Sequence, residues 1–254
     1  MTHMFEVSAD SYDRFMGRYA VRLAPQFADL AGVESGQHVL DVGCGPGALT
    51  AELVGRLGAE DVAAVDPSES FLDALRKRHS GVVAERAPAE DLPFSDASFD
   101  AALAQLVVHF MKDPLRGLSE MSRVTRRGGV VAACVWDHAG GRSPLTTFWE
   151  AVHELDGTAE SESHLPGARA GHLAELFANA GLRDVEDTAL EAAVTYASFD
   201  DWWEPYTFGI GPAGAYVAAL DDERRNELRE GCRRLLPEPP FIITAFAWAA
   251  RGLV

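Results

Sequence analysis

Asp41-Val42-Gly43-Cys44-Gly45-Pro46-Gly47 places three alternate glycines between a short apolar run and a stretch with helical spacing. Glycine at such a junction lets the backbone approach a ligand closely and present amide donors at a helix N-terminus. Two patterns fit the same residues. Read from Gly43 the loop is G-x-G-x-x-A, as in dinucleotide-binding proteins; read from Asp41 it is D-x-G-x-G-x-G. Asp41 favours the second, because a carboxylate there repels a pyrophosphate and attracts a cationic amino group, directly or through water. Asp66 ends the next strand-like run, where a carboxylate accepts hydrogen bonds from a ribose diol. Alone, Asp41 also reads as a loop carboxylate and Asp66 as a helix N-cap; together, at this spacing, they point to a nucleoside cofactor that carries an amino acid.

Acceptor chemistry is sparser. His109 follows Gln105-Leu106-Val107-Val108 at the C-terminal edge of a strand expected near the middle of the sheet, where α/β folds bind ligands. A neutral imidazole there is a candidate catalytic base, against the alternative of a structural histidine. His138, beside Asp137, is a weaker candidate of the same kind. His153, His164 and His172 lack metal-ligand spacing, so the expected chemistry uses no metal. Trp202, Trp203, Tyr206 and Phe208 either line an acceptor pocket or form a small core of their own.

These residues need a scaffold of alternating strands and helices. Residues 8–31 have helical spacing through Tyr12, Phe15, Met16, Tyr19, Leu23, Phe27 and Leu30. Strands are expected at 38–42, 61–65, 81–84, 99–108 and 130–136, with helices at 48–57, 69–79 and 114–124 and a turn at 126–129. Strand–helix alternation implies a parallel sheet. Beyond it lie helices near 145–155 and 172–180 and strands at 185–196 and 241–254. Residues 198–236, interrupting the last two strands, read as a helical cap.

The chain has 254 residues, 47% apolar and 24% charged, which suits one α/β domain with an elaboration. A formal charge of −17 opposes a nucleic-acid partner. The cysteines, Cys44, Cys134 and Cys232, are odd in number and share no redox or metal spacing, which points to a reduced, cytoplasmic setting. The polar start, acidic from Glu6 to Asp13, lacks an export signal, and no apolar run approaches the roughly 20 residues of a membrane span.

Four ordered motifs carry a family resemblance. They are residues 39–47, then Val65-Asp66-Pro67-Ser68, then residues 89–100 beginning Ala89-Glu90-Asp91-Leu92-Pro93-Phe94, then Arg126-Arg127-Gly128-Gly129. Together they resemble class I S-adenosylmethionine-dependent methyltransferases, in particular the small-molecule branch related to ubiquinone and menaquinone biosynthesis. The resemblance implies a Rossmann-like, seven-stranded, mostly parallel α/β sheet with helices on both faces, an antiparallel last strand and a cap insertion at 198–236, all within one domain of residues 1–254. It implies S-adenosylmethionine as cofactor, S-adenosylhomocysteine as product and a small-molecule acceptor.

Residue by residue, the resemblance implies that Asp41 and the backbone of Gly43 and Gly45 hold the methionine part, Asp66 the ribose hydroxyls and Phe71 the adenine face. Ala89 and Glu90 would line the adenine edge, although Pro88 stands where relatives often have an acid. The 12–19 segment resembles the family's leading helix, which closes over the cofactor; Arg18 would pair with the cofactor carboxylate. Tyr12, Cys44, Pro67 and Gln105 complete the expected contacts. A nicotinamide-dependent oxidoreductase and a non-catalytic binder remain the alternatives.

Overall fold

The structure, a computed structural model, describes residues 8–254; residues 1–7, including Glu6 at the polar start, lie outside the described residues. The strands are β1 (Val39–Val42), β2 (Val62–Asp66), β3 (Val83–Arg86), β4 (Phe99–Gln105), β5 (Thr125–Trp136), β6 (Arg183–Tyr196) and β7 (Phe241–Leu253). They form one sheet in the order β3-β2-β1-β4-β5-β7-β6. Strands β1 to β5 pair in parallel, and β7 is antiparallel to both β5 and β6. This is the expected seven-stranded architecture with its antiparallel last strand.

The helices are α1 (Ala9–Tyr12), α2 (Arg18–Leu30), α3 (Ala48–Leu57), α4 (Glu69–Arg78), α5 (Pro114–Val124), α6 (Thr146–Leu155), α7 (His172–Asn179), α8 (Phe199–Trp203), α9 (Gly211–Ala219) and α10 (Asp222–Leu235). The central strands are apolar without alternation because helices cover both faces. Val39, Ala64 and Leu103 face the layer containing Leu23 and Phe27 of α2 and Leu49 and Leu53 of α3. Their neighbours Leu40, Val65 and Ala102 face Leu118 and Met121 of α5 and Leu173 and Phe177 of α7. No helix among the described residues is long and apolar enough to cross a membrane.

Strand order reverses at β1: the chain builds outward to β3, then returns to lay β4 on the other side of β1. The C-terminal ends of β1 and β4 therefore border the crevice where open α/β sheets hold ligands.

Local departures from the expected pattern have identifiable causes. The leading helix is interrupted by a π-helical segment, Asp13–Gly17, between α1 and α2. The extra residue per turn rotates Tyr12 relative to the buried face that begins at Phe15. Strand β4 stops at Gln105 rather than running to residue 108, because Leu106 adopts φ +63°. The expected turn at 126–129 is instead part of β5, whose pairing with β4 shifts register there; Gly128 N–H donates to Val254 and Val254 N–H donates to Gly129.

Helices α8 to α10 occupy the segment between β6 and β7. Trp202, Trp203 and Tyr206 are buried, and Tyr206 stacks on Phe148 of α6 with ring centroids 4.6 Å apart. Phe15 meets the same Tyr206 ring edge-on at 5.0 Å. Trp202, Trp203 and Tyr206 thus join the main core, shared with α6 and the leading segment, and Phe208 packs against it partly buried. Phe148→Ala is expected to lower stability by about 3–5 kcal/mol, seen as a lower urea midpoint, because it removes the ring joining α6 to this helical segment.

Candidate cofactor and acceptor site

The glycine loop leaves β1 and turns into α3 through three residues with positive φ: Gly43 (+70°), Gly45 (+52°) and Gly47 (+102°). At Gly43 the requirement is also steric, since a Cβ would lie 2.5 Å from the Val107 side chain. At Gly45 the space where a Cβ would point is open.

Loop amides are not all free to meet a ligand. Gly43 and Cys44 both donate to the Val65 carbonyl, at 2.8 and 3.0 Å, which ties the loop to β2. Gly45 N–H donates to Asp66 Oδ2 at 2.9 Å, while Ser68 N–H donates to Asp66 Oδ1 at 2.8 Å. Asp66 thus clamps the glycine loop to the turn that opens α4, and each oxygen retains a second lone pair. Burial raises its pKa to about 6, opposed by the Ser68 and Gly45 hydrogen bonds.

Asp41 lies deeper than expected for a group facing a ligand's amino group. It is 1% exposed and accepts Thr50 Oγ1 at 2.6 Å. Its pKa rises to about 7, first through burial and further through Asp66, while Thr50 holds it down. The carboxylate anchors the first turn of α3 beneath the loop and contributes through its field. Cys44 is buried, and burial likewise pushes its thiol pKa up.

Tyr12, Phe71 and Asp66 converge. The Tyr12 and Phe71 rings meet edge-on at 5.3 Å, and the Tyr12 phenol is held protonated by burial and by the charges of Asp66 and Asp13. Pro67 is exposed beside them, its carbonyl accepting Arg86 Nε at 3.0 Å. Ala89 is buried.

Three other expected contacts are engaged elsewhere. Arg18 pairs with Asp201 and lies 5.1 Å over the Tyr196 ring, so its guanidinium joins α2 to α8 rather than reaching the glycine loop. Glu90 Oε1 accepts the Lys112 and Asp113 amides at 2.7 and 3.3 Å, which fixes the approach to α5. Gln105 donates from Nε2 to the Ala20 carbonyl at 3.1 Å, leaving its buried Oε1 without a partner.

Next to Tyr12 opens a cleft walled by Leu106, His109, Phe110, Trp136, His138, Glu162 and residues 210–213 of the helical segment. His109 is 5% exposed, and its Nδ1 is buried without a hydrogen-bond partner. Burial, and then the neighbouring His138, lower its pKa well below the ordinary imidazole value. The two histidine rings are 6.0 Å apart, and burial takes His138 down to about 4. Two members of this wall had no signal in the sequence reading. Leu106 is a non-glycine residue at positive φ, a strain that folds retain where it aims a site. Glu162 lies in the glycine- and proline-punctuated stretch after β5, yet it is 2% exposed with Oε2 unpartnered.

Residues 40–133, which contain the glycine loop, Asp66 and His109, match the family model described as a methyltransferase domain. A methyltransferase of Mycobacterium sp. (strain KMS) is 35% identical over 208 residues, 75% of this chain and 79% of that protein. The chain belongs to the methyltransferase family. An O-methyltransferase of Penicillium expansum is 32% identical over 185 residues, 69% of this chain and 60% of the fungal protein. The match spans about half to two thirds of the length of the first curated relatives. The crystal structure of an S-adenosylmethionine-dependent methyltransferase from Thermotoga maritima superposes with a TM-score of 0.59 at 22% identity, covering 100% of this chain and 99% of that one; this likeness concerns the fold.

The acid pair gives the chain a specific pH signature. Asp41 has a folded pKa of about 7 and Asp66 of about 6, both above the ordinary carboxylate value of 3.8. From about pH 4 up to about pH 6 for Asp66 and about pH 7 for Asp41, the unfolded chain has released the proton while the folded chain retains it, so the share of stability from these two groups is full below about pH 4 and is lost as pH rises. Each group contributes up to about 1.4 kcal/mol per pH unit across its window. Asp41→Asn is expected to flatten its share of that decline, measured by urea unfolding from pH 4 to 8. An identical slope in the variant rules out a protonated Asp41 in the folded state.

Proposed function

We propose that the chain catalyses methyl transfer from S-adenosylmethionine to a small-molecule acceptor. The observation that carries this reading is the clamp at Asp66: a buried carboxylate at the end of β2, bound to an open glycine loop and flanked by Tyr12 and Phe71. That donor and acceptor set suits a nucleoside with an aromatic base, a ribose diol and an adjacent positive charge. Family membership and the two acids beneath the loop support a cationic cofactor over a pyrophosphate. When bound, S-adenosylmethionine supplies a methyl group activated on a sulfonium centre.

Asp66 accepts from the ribose through its remaining lone pairs, and Phe71 packs against the adenine. Asp41 holds the first turn of α3 beneath the loop through Thr50 and lends negative potential once a cationic group draws off its proton, and Tyr12 borders the cleft. The helical segment over the cleft excludes water and orients an acceptor; these are the principal needs of an in-line displacement. His109, neutral through burial and with Nδ1 unpartnered, takes the proton released when a hydroxyl or amine is methylated. The charge of −17 supports a small acceptor rather than a nucleic acid, and three buried free cysteines accord with a cytoplasmic setting.

Calorimetry is expected to show binding of S-adenosylhomocysteine, weakened by roughly 1.5–3 kcal/mol in Asp66→Asn, the scale of a hydrogen bond to a charged group. Tight NAD binding with no response to S-adenosylhomocysteine sinks the reading.

The role of His109 has a separate measure. His109→Gln should lower turnover by roughly 10²-fold while leaving S-adenosylhomocysteine affinity unchanged. In the wild type, rate should fall with acid only below the ordinary imidazole pKa of about 6.5, because burial displaces the protonation of His109 downward. If the variant retains the same acidic limb, another group is the base.

A further inference from the structure

Glu162 opens the short turn Glu162–His164 between α6 and α7, far from the glycine loop in sequence, and reaches the wall of the cleft. It is 98% buried, since only 2% of its surface is exposed, and Oε2 has no hydrogen-bond partner. A buried carboxylate left uncompensated is costly, by several kcal/mol when ionised. Burial raises its pKa to about 7, opposed by its own backbone N–H and then by the Trp149 indole N–H.

No fixed positive charge on the walls pairs with this acid. Among the described residues lining the cleft there is no lysine or arginine, and burial keeps both histidines neutral. The remaining lining is largely apolar and aromatic, with Tyr12, Phe15, Phe110 and Trp136 among the walls. Aromatic faces attract a cation and tolerate its hydrocarbon body. An anionic acceptor would meet an acid with no counter-charge, and a neutral hydrocarbon would leave Oε2 unpaired. A protonated amine satisfies both walls.

We propose that the cleft is an acceptor subsite for a small aromatic or aliphatic amine, with Glu162 as the counter-charge that receives the ammonium group. An ammonium held this way has no lone pair to attack a methyl group. The methyl-accepting atom is therefore a second nucleophilic group of the same molecule, such as a hydroxyl, whose proton His109 takes. This assignment rests on the methyltransferase reading above and deepens it by naming the acceptor class.

Three ligands that share a phenol and differ in charge test it: tyramine as the cation, tyrosol as its neutral counterpart and 4-hydroxyphenylacetate as the anion. Each is titrated calorimetrically into the full chain saturated with S-adenosylhomocysteine. Tyramine is expected to bind roughly tenfold or more tightly than tyrosol, with the anion weakest, in keeping with a charge-assisted hydrogen bond. In Glu162→Gln, tyramine and tyrosol should bind alike while S-adenosylhomocysteine affinity is unchanged. Equal binding of tyramine and tyrosol to the wild type, a preference for the anion, retention of the tyramine preference in Glu162→Gln, or binding of none of the three overturns the proposal. The wild-type comparison decides even if the variant fails to fold. Absence of S-adenosylhomocysteine binding with a Glu162-dependent tyramine preference keeps the amine subsite and rejects the methyltransferase reading instead.

Discussion

The site depends on one carboxylate. Asp66 joins three pieces of chain: the end of β2, the Gly45 amide in the loop after β1, and the Ser68 amide at the opening of α4. Neither amide has an intrahelical partner, so the acid satisfies donors that would otherwise need water or ligand. The Val65 carbonyl adds two bonds from Gly43 and Cys44, and Val107 closes the space a side chain at Gly43 would need. The loop is consequently preorganised, with Gly45 as its open point.

Electrostatic strain accompanies that order. Two acids lie beneath one loop, both buried and both driven toward protonation by that burial, and the charge of Asp66 adds to the cost of ionising Asp41. Thr50 bonds one side of Asp41, whereas backbone amides bond both oxygens of Asp66. A positive group above the loop relieves both acids, so the same burial that lowers stability toward neutral pH sets a preference for cationic ligands. Glu162 repeats this logic in the adjoining cleft, with no basic side chain beside it among the described lining residues.

How much was legible follows from where each signal is stored. The glycine loop, Asp66 and the strand–helix alternation depend on short-range pattern: glycine where φ is positive, an acid at a strand end, apolar runs separated by helix-length connections. The seven-stranded sheet with its antiparallel last strand was implied by the family resemblance. Arg18 was visible as a helical residue, but its partner Asp201 stands 183 positions away, so its ion pair has no local trace. Glu90 was read through its neighbours as a ligand contact, although its carboxylate caps amides 22 and 23 residues downstream. Glu162 was silent because its burial arises only when the stretch after β5 folds against the helical segment. The strain at Leu106 was equally silent, since leucine carries no preference for positive φ.

The leading segment shows how these local and distant terms combine. After the π-helical segment, α2 is held by buried rings: Tyr19 donates to or accepts from Tyr196 at 3.0 Å and meets Trp136 edge-on at 5.8 Å. Before it, α1 contains no buried residue, and its neighbourhood is attached through the Tyr12 and Phe71 rings and the Arg78–Asp13 pair at 2.7 Å. Arg14 pairs with Glu204 at 2.5 Å, but both side chains are about half exposed, a setting in which an ion pair contributes roughly 0–1 kcal/mol. The strong attachments therefore lie on the α2 side and the weak ones on the side that carries Tyr12. Since Tyr12 borders both the Asp66 clamp and the cleft, the least firmly anchored part of the helix is the part next to both.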